Sequence, residues 1–206
     1  MIARLLGTAL AIGVAYVVVT SLPDIARYMK IREMYRMARY RIVPERSRIE
    51  AEARSSIHPI RVETEGLEGY FEAEVSGDRI DASVTPSGRV ELDAERLKTG
   101  NGLYDQELER RLEVRKFPRI RGEVRGMREV DSGRRYLVRG DLTFHGVTHA
   151  VEGEVALRSL DERTVEIEGH QVIDMRNFGL EPPRFLMLKV YPEIQVRGRV
   201  VARREE

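Results

Sequence analysis

The sequence predicts a mainly β protein. The expected fold is an antiparallel up-and-down barrel or sandwich of about eight strands, with one short helical interruption and an apolar N-terminal segment ahead of it. Three observations carry this. From Tyr40 to Ala202, short runs alternate apolar and polar residues with a period of two, and turn residues separate them. One stretch, 93–113, abandons that period for leucines at helical intervals. Residues 5–22 form an unbroken run without a charge.

The N-terminal segment sets the domain organisation. Roughly 18 or more apolar residues span the hydrocarbon core as a helix, and Leu5 to Leu22 meets that length with no polar stripe. A cleavable signal peptide has a shorter apolar core followed by small residues, and Thr20-Ser21-Leu22 offers no clean cleavage site. Residues 1–22 are therefore expected to be a retained transmembrane anchor. Pro23 suits the first position of a second helix. Over 23–39, Ile25, Tyr28, Met29, Ile31, Met34, Tyr35 and Met37 alternate with Arg27, Lys30, Arg32, Arg36 and Arg39, which predicts a basic amphipathic helix lying on anionic headgroups. Met1–Arg41 holds seven basic residues against two acids, a surplus of five, so the remainder carries −4 of the net +1. Basic charge beside an apolar run favours a membrane surface over nucleic acid. Six of the seven cations follow the span, so local charge keeps the large domain cytoplasmic.

The third domain, 40–206, carries the strands. Tyr40, Ile42, Ile49, Ala51 and Ala53 suggest a first strand kinked at Pro44. Phe71, Ala73 and Val75 alternate with Glu72 and Glu74. After a turn at Gly77-Asp78, Ile80, Ala82 and Val84 continue the pattern. Pro86-Ser87-Gly88 is a further turn, followed by Val90 and Leu92. Gly100-Asn101-Gly102 leads into a helix over about Tyr104 to Leu112. Ile120 to Gly126 starts a strand, and Asp131-Ser132-Gly133 turns into Tyr136 to Phe144. His145-Gly146 is a tight hairpin turn, and Val151, Gly153, Val155 and Leu157 form the returning arm. Val165 to Ile173 alternates, Pro182-Pro183 marks a loop, and Leu186 to Ala202 closes the chain.

Several of these stretches share wording with one family. Gly140-Asp141-Leu142-Thr143-Phe144-His145-Gly146-Val147-Thr148 resembles the "G-x-L-T-hydrophobic-H-G-V-T" segment of YceI-like proteins. Tyr40-x-Ile42 with Ser47-x-Ile49, Gly69-Tyr70-Phe71, Leu97-Lys98-Thr99-Gly100-Asn101 with Asp105-x-x-Leu108, and Phe117-Pro118-x-Ile120 are similar to further segments in the same order. Asp174-Met175-Arg176-Asn177-Phe178-Gly179-Leu180 resembles the family's "I-x-R-x-D-F-G-I/L", with Asn177 in place of the usual Asp. Arg46 and Tyr104 are two further departures. The resemblance spans about Tyr40 to Arg203. It implies a lipocalin-like antiparallel barrel that holds a polyisoprenoid or similar apolar lipid, and members with export signals imply the opposite side of the membrane.

Composition fits that implication. Zero Cys excludes disulfides and thiolate metal sites. Zero Trp and 6% aromatics make any cavity mainly aliphatic and leave no stacking platform for nucleic acid. By parity the inward candidates are Phe71, Ala73, Val75, Ile80, Ala82, Val138, Leu142, Phe144, Val155, Ile167, Ile173, Val196 and Val200. They either contact a lipid such as a polyisoprenoid or isoprenoid quinone, or fill a closed core. The alternative function is thus a tethered interaction barrel without ligand. Arg176 is expected to brace the barrel by pairing with Asp105 or Asp174, or to meet a headgroup. His145 and His149 are four apart, but Gly146 between them denies the helical geometry that zinc would need, so no metal is expected. No nucleophile motif or phosphate-binding glycine loop is present, so no enzyme and no cofactor beyond the lipid is expected. A homodimer stays open.

Overall fold

The computed structural model describes residues 37–131, 134–185 and 188–205. The expected anchor and the helix over 23–36 lie outside them. Among the described residues no helix is long and apolar enough to cross a membrane. Ala38–Glu206 is one compact unit.

Its strands are β1 (Ala38–Ile42), β2 (Arg48–Ser55), β3 (Ile60–Glu65), β4 (Glu68–Ala73), β5 (Val75–Ser76), β6 (Arg79–Ile80), β7 (Ser87–Asp93), β8 (Arg119–Asp131), β9 (Arg135–Phe144), β10 (Val147–Ser159), β11 (Thr164–Asp174), β12 (Arg184–Phe185) and β13 (Leu188–Arg204). The helix α1 is Gly102–Arg111. Neighbours run antiparallel in the order β4, β7, β8, β9, β10, β11, β13. The far edge of β13 then pairs with β1 (Ile42↔Ala202) and, further along, with β2 (Ala51↔Val196). β1 pairs with β4 and β2 with β3, so β1–β2 and β3–β4 act as two long bent strands. Pro44–Arg46 forms the single 3-10 turn at the first bend. The sheet closes on itself as an eight-walled antiparallel barrel, and closure removes the exposed edges of an open sheet.

Local chemistry explains the main hairpin. His145 (φ 50) and Gly146 (φ 75) both take the left-handed region, which is the two-residue turn whose twist matches the flanking strands. Gly146 is required there twice over, since a Cβ would also lie 2.4 Å from the Phe117 ring. The Asn101 side chain caps α1 by accepting from the N–H groups of Leu103 (3.0 Å) and Tyr104 (3.4 Å).

The structure corrects several expectations. β1 begins at Ala38, which takes Ala38 and Arg39 out of the expected juxtamembrane helix. β3 is a wall element with no counterpart in the sequence reading. Ile80 to Val84 is not a wall strand. The ladder ends at Ile80, and the Asp81 carboxylate accepts from the N–H and hydroxyl of Ser83 (2.9 and 2.6 Å), which turns the chain away from extended geometry. Ser87 and Gly88 belong to β7 rather than to a turn.

Three apolar clusters form. The lower end of the barrel is plugged by the β5–β6 hairpin against Tyr40, Ala73, Tyr136, Leu157, Val165 and Ala202. Ile42, Leu67 and Leu92 form a second cluster at the side. Ala94, Leu112 and Val114 form a third beneath α1 at the upper end.

Candidate ligand-binding site

Register fixes which side chains face the lumen. Tyr136 is fully buried, and residues directly opposite one another share a face. Tyr136 pairs with Val155, Val138 with Gly153, Gly140 with Val151, and Leu142 with His149. Following the pairs around the barrel puts Ile173, Ile194 and Val196 on the same face, then Ala51 and Ala53 of β2, then Ile60 and Val62 of β3. Val124 of β8 faces Gly140 across the remaining ladder.

These upper positions differ from the lower ones in packing. Val124, Val138, Leu142 and Val151 are half-buried and belong to none of the three clusters. The same holds for Ile173, Ile194 and Val196. An inward side chain in a closed barrel keeps accessible surface only if the lumen holds space. Small residues help provide it. Gly140, Gly153, Gly169 and Gly198 face inward at middle height and contribute no side chain. At Gly140 the neighbouring strand also comes close, and a Cβ would lie 2.5 Å from the Glu123 carbonyl oxygen.

The sequence-predicted residues divide accordingly. Val138, Leu142, Ile173 and Val196 sit on the open lumen wall. Phe71, Ala73, Val75, Ile80, Ala82, Val155 and Ile167 belong to or pack against the lower cluster. Val200 packs on the side cluster and Phe144 on the upper one. Sequence reasoning missed Ala51, Ala53, Ile60, Val62, Val124, Val151 and Ile194 as lumen residues. Their parity is readable, but only the ladder register shows which of them meet.

The family-like motifs converge above the lumen as a cap. The His145 ring packs edge-on to Phe117 with centroids 4.6 Å apart, and its Nδ1 lies 3.2 Å from the Phe178 carbonyl oxygen. Its Nε2 faces the Glu113 carboxylate at 3.6 Å. Phe178 is buried and meets Phe144 at 5.6 Å and His149 at 6.0 Å between centroids. The cap ties the β9–β10 turn, the loop after α1 and the turn after β11 to one another.

Arg176 and Asp105 do not meet. Arg176 pairs with Asp174 through Nη2 (2.5 Å) and Nε (2.9 Å). Hydrogen bonds from the Arg176 side chain and backbone hold the Asp174 carboxyl below the usual carboxylate range. Asp105 accepts instead from the hydroxyl and N–H of Thr99, both at 2.6 Å, and these bonds lower its pKa. Each pair braces its own turn. Among the described residues no group of three or more His, Asp or Glu is placed to hold a metal ion.

Fold and lumen together define a small antiparallel barrel of lipocalin-like architecture, plugged below and capped above, with half-buried aliphatic side chains between the two. The chain belongs to the YceI-like family: residues 40–202 match the YceI-like domain. Residues 3–34 match a family of unknown function (DUF6893). No curated protein matches the chain. Among solved structures, the chain is similar to BcnA of Burkholderia cenocepacia (TM-score 0.65, 16% identity, covering 78% of this chain and 98% of that one). It is also similar to a polyisoprenoid binding domain from Saccharophagus degradans implicated in plant cell wall breakdown (TM-score 0.60, 12% identity, 81% and 98% covered). A third is the YCEI protein of Campylobacter jejuni (TM-score 0.59, 13% identity, 73% and 88% covered).

Proposed function

We propose that this protein is a carrier, without catalytic activity, for a long apolar lipid such as a polyisoprenoid or isoprenoid quinone. The barrel holds the chain in its aliphatic lumen, and the N-terminal segment tethers it to a membrane. The observation that carries this reading is the half-buried state of inward aliphatic side chains above a fully packed lower plug. Each Å² of apolar surface that such a ligand removes from water contributes about 25 cal/mol, so an aliphatic tube binds an isoprenoid without any charged contact. A polyisoprenoid binding domain among the similar folds supports the ligand class. The uncharged run at 5–22 and the cations after it support the tether, with the barrel on the cytoplasmic side.

A second reading, a tethered interaction barrel with a filled core, is favoured by the modest volume, ≈ 150 Å³, of the cavity found in the wall. Organic extraction of the purified full chain followed by mass spectrometry separates the two. One stoichiometric isoprenoid species is the result expected of a carrier. A folded chain that yields no lipid moves the function to the filled-core reading.

A further inference from the structure

Two residues of the cap take a backbone conformation that their side chains make costly. Among the described residues, Glu113 (φ 46) and His145 (φ 50) are the only non-glycine positions with positive φ. They belong to different elements: Glu113 follows the end of α1, and His145 opens the β9–β10 turn. Yet their side chains meet, with His145 Nε2 3.6 Å from Glu113 Oε1. Strained positions persist where the surroundings hold them, and they cluster where a side chain has a task. The turn itself does not call for histidine, since Asn-Gly is the favoured pair when both turn residues are left-handed.

The surroundings of the ring are one-sided. Nδ1 lies 3.2 Å from the Phe178 carbonyl oxygen, which only accepts. Nε2 is buried without a hydrogen-bond partner and faces a carboxylate, which when ionised also only accepts. At 3.6 Å that approach is an ion-pair distance and not a hydrogen bond. A neutral imidazole carries one N–H, so it serves one acceptor and turns a lone pair toward the other. An imidazolium carries two and serves both.

The other charges nearby do not replace that proton. Lys116 pairs with the second Glu113 oxygen, Oε2, at 3.4 Å and leaves Oε1 to the histidine. Arg110, at the end of α1, is held by Glu107 at 2.7 Å. In the turn after β11, Asp174 and Arg176 pair with one another. On β10 the His149 Nδ1 lies 2.9 Å from the Ala150 carbonyl oxygen.

We propose that His145 is a proton-operated latch of the cap. Protonation of its ring joins the β9–β10 turn to the loop after α1 through Nε2–H and to the turn after β11 through Nδ1–H. Deprotonation breaks one of those two ties. The latch is therefore complete at acid pH and is lost as pH rises through the range in which imidazoles titrate. It is a property of the fold and does not depend on the carrier reading.

The test is amide hydrogen exchange of the purified full chain, read by mass spectrometry at about pH 5.5 and about pH 8 and corrected for the intrinsic pH dependence of exchange. Segments 113–117 and 144–148 should exchange roughly tenfold more slowly at the acid pH, as one hydrogen bond to a charged group implies. The β5–β6 hairpin at the lower end should show no such difference. His145→Asn keeps a favoured turn pair and should erase the pH difference in both segments. Glu113→Gln gives a neutral ring an N–H donor for its bare nitrogen, so both segments should stay slow at the higher pH. Equal protection of the parent chain at both pH values overturns the latch. So does a pH difference that survives in His145→Asn or in Glu113→Gln.

Discussion

The lower end and the middle of the barrel are built from the same strands with the same alternation, and they end up in opposite states. At the lower end Tyr136 is 0% exposed and Ala202 likewise. The Tyr136 hydroxyl accepts from the Ile80 N–H at 2.8 Å, and Tyr40 stacks on Phe71 with centroids 4.9 Å apart. Asp78 in the β5–β6 turn accepts from the Ser159 N–H at 2.6 Å and pins the plug to the wall. Two residues up β9 from Tyr136, Val138 is only half-buried, and Gly140 follows it. Wall pattern alone therefore does not decide whether a lumen is core or cavity. Aromatic size and a plugging hairpin fill the lower end, while valine and glycine leave the middle of the lumen less tightly packed.

The largest effect should come from the packed end. Tyr136→Ala removes a buried aromatic ring and strands the Ile80 N–H, at a cost of about 3–5 kcal/mol. Val138→Ala, on the same strand and face, should cost under about 1 kcal/mol, because its surroundings are already accessible. Urea unfolding of the two variants reads the contrast, and equal losses would mean that the upper lumen is as tightly packed as the lower.

Filling the two regions should differ in the opposite sense. Ala202→Phe overpacks a closed cluster and should destabilise by about 1–3 kcal/mol or more. Val196→Phe projects into the lumen and should leave the unfolding midpoint nearly unchanged while abolishing copurifying lipid. A strongly destabilised Val196→Phe would argue for a filled interior.

The outer wall offers a pH test of its own. Glu166 is 1% exposed, covered by two guanidiniums rather than by apolar core, with Arg199 Nε at 2.7 Å and Arg158 Nη2 closer still. Burial pushes its carboxyl up, but hydrogen bonds from Arg199 and Arg158 outweigh that and leave its pKa below the usual value. A depressed carboxyl contributes stability that is present above the ordinary Glu range and is lost as pH falls through the folded value. Glu166→Gln should thus cost about 1–2 kcal/mol at neutral pH, with the gap to the parent chain closing on acidification below that range. Melting temperature against pH for both chains checks it, and a gap that stays constant through the acid range would show that the charge contributes nothing.

How much of this was readable before the structure depends on what each feature rests on. The β9–β10 hairpin is legible because period-two alternation and a two-residue turn are local signals. β3 is harder, since it is short, follows His58-Pro59, and buries a polar Thr64 on its inward face. The lumen was half legible: parity finds Val138, Leu142, Ile173 and Val196, yet it treats Ile80 and Ala82 the same way. What separates them is the fold of the plug, fixed by the Tyr136–Ile80 and Asp78–Ser159 contacts between residues distant in sequence. The small cavity in the wall left no local trace, because it lies where the β10–β11 ladder stops, at Glu154↔His170.

The smallest effect is expected at Arg176, which the sequence singles out by motif. Its side chain is 64% exposed and its partner, Asp174, lies two residues away on the same turn. Exposed pairs of this kind contribute about 0–1 kcal/mol, so Arg176→Ala should shift the unfolding midpoint little. The informative readout is copurifying lipid. Arg176→Ala should leave copurifying lipid unchanged. If it instead abolishes copurifying lipid, then Arg176 holds the cap over the lumen, and the upper end depends on that turn as strictly as the lower end depends on its plug.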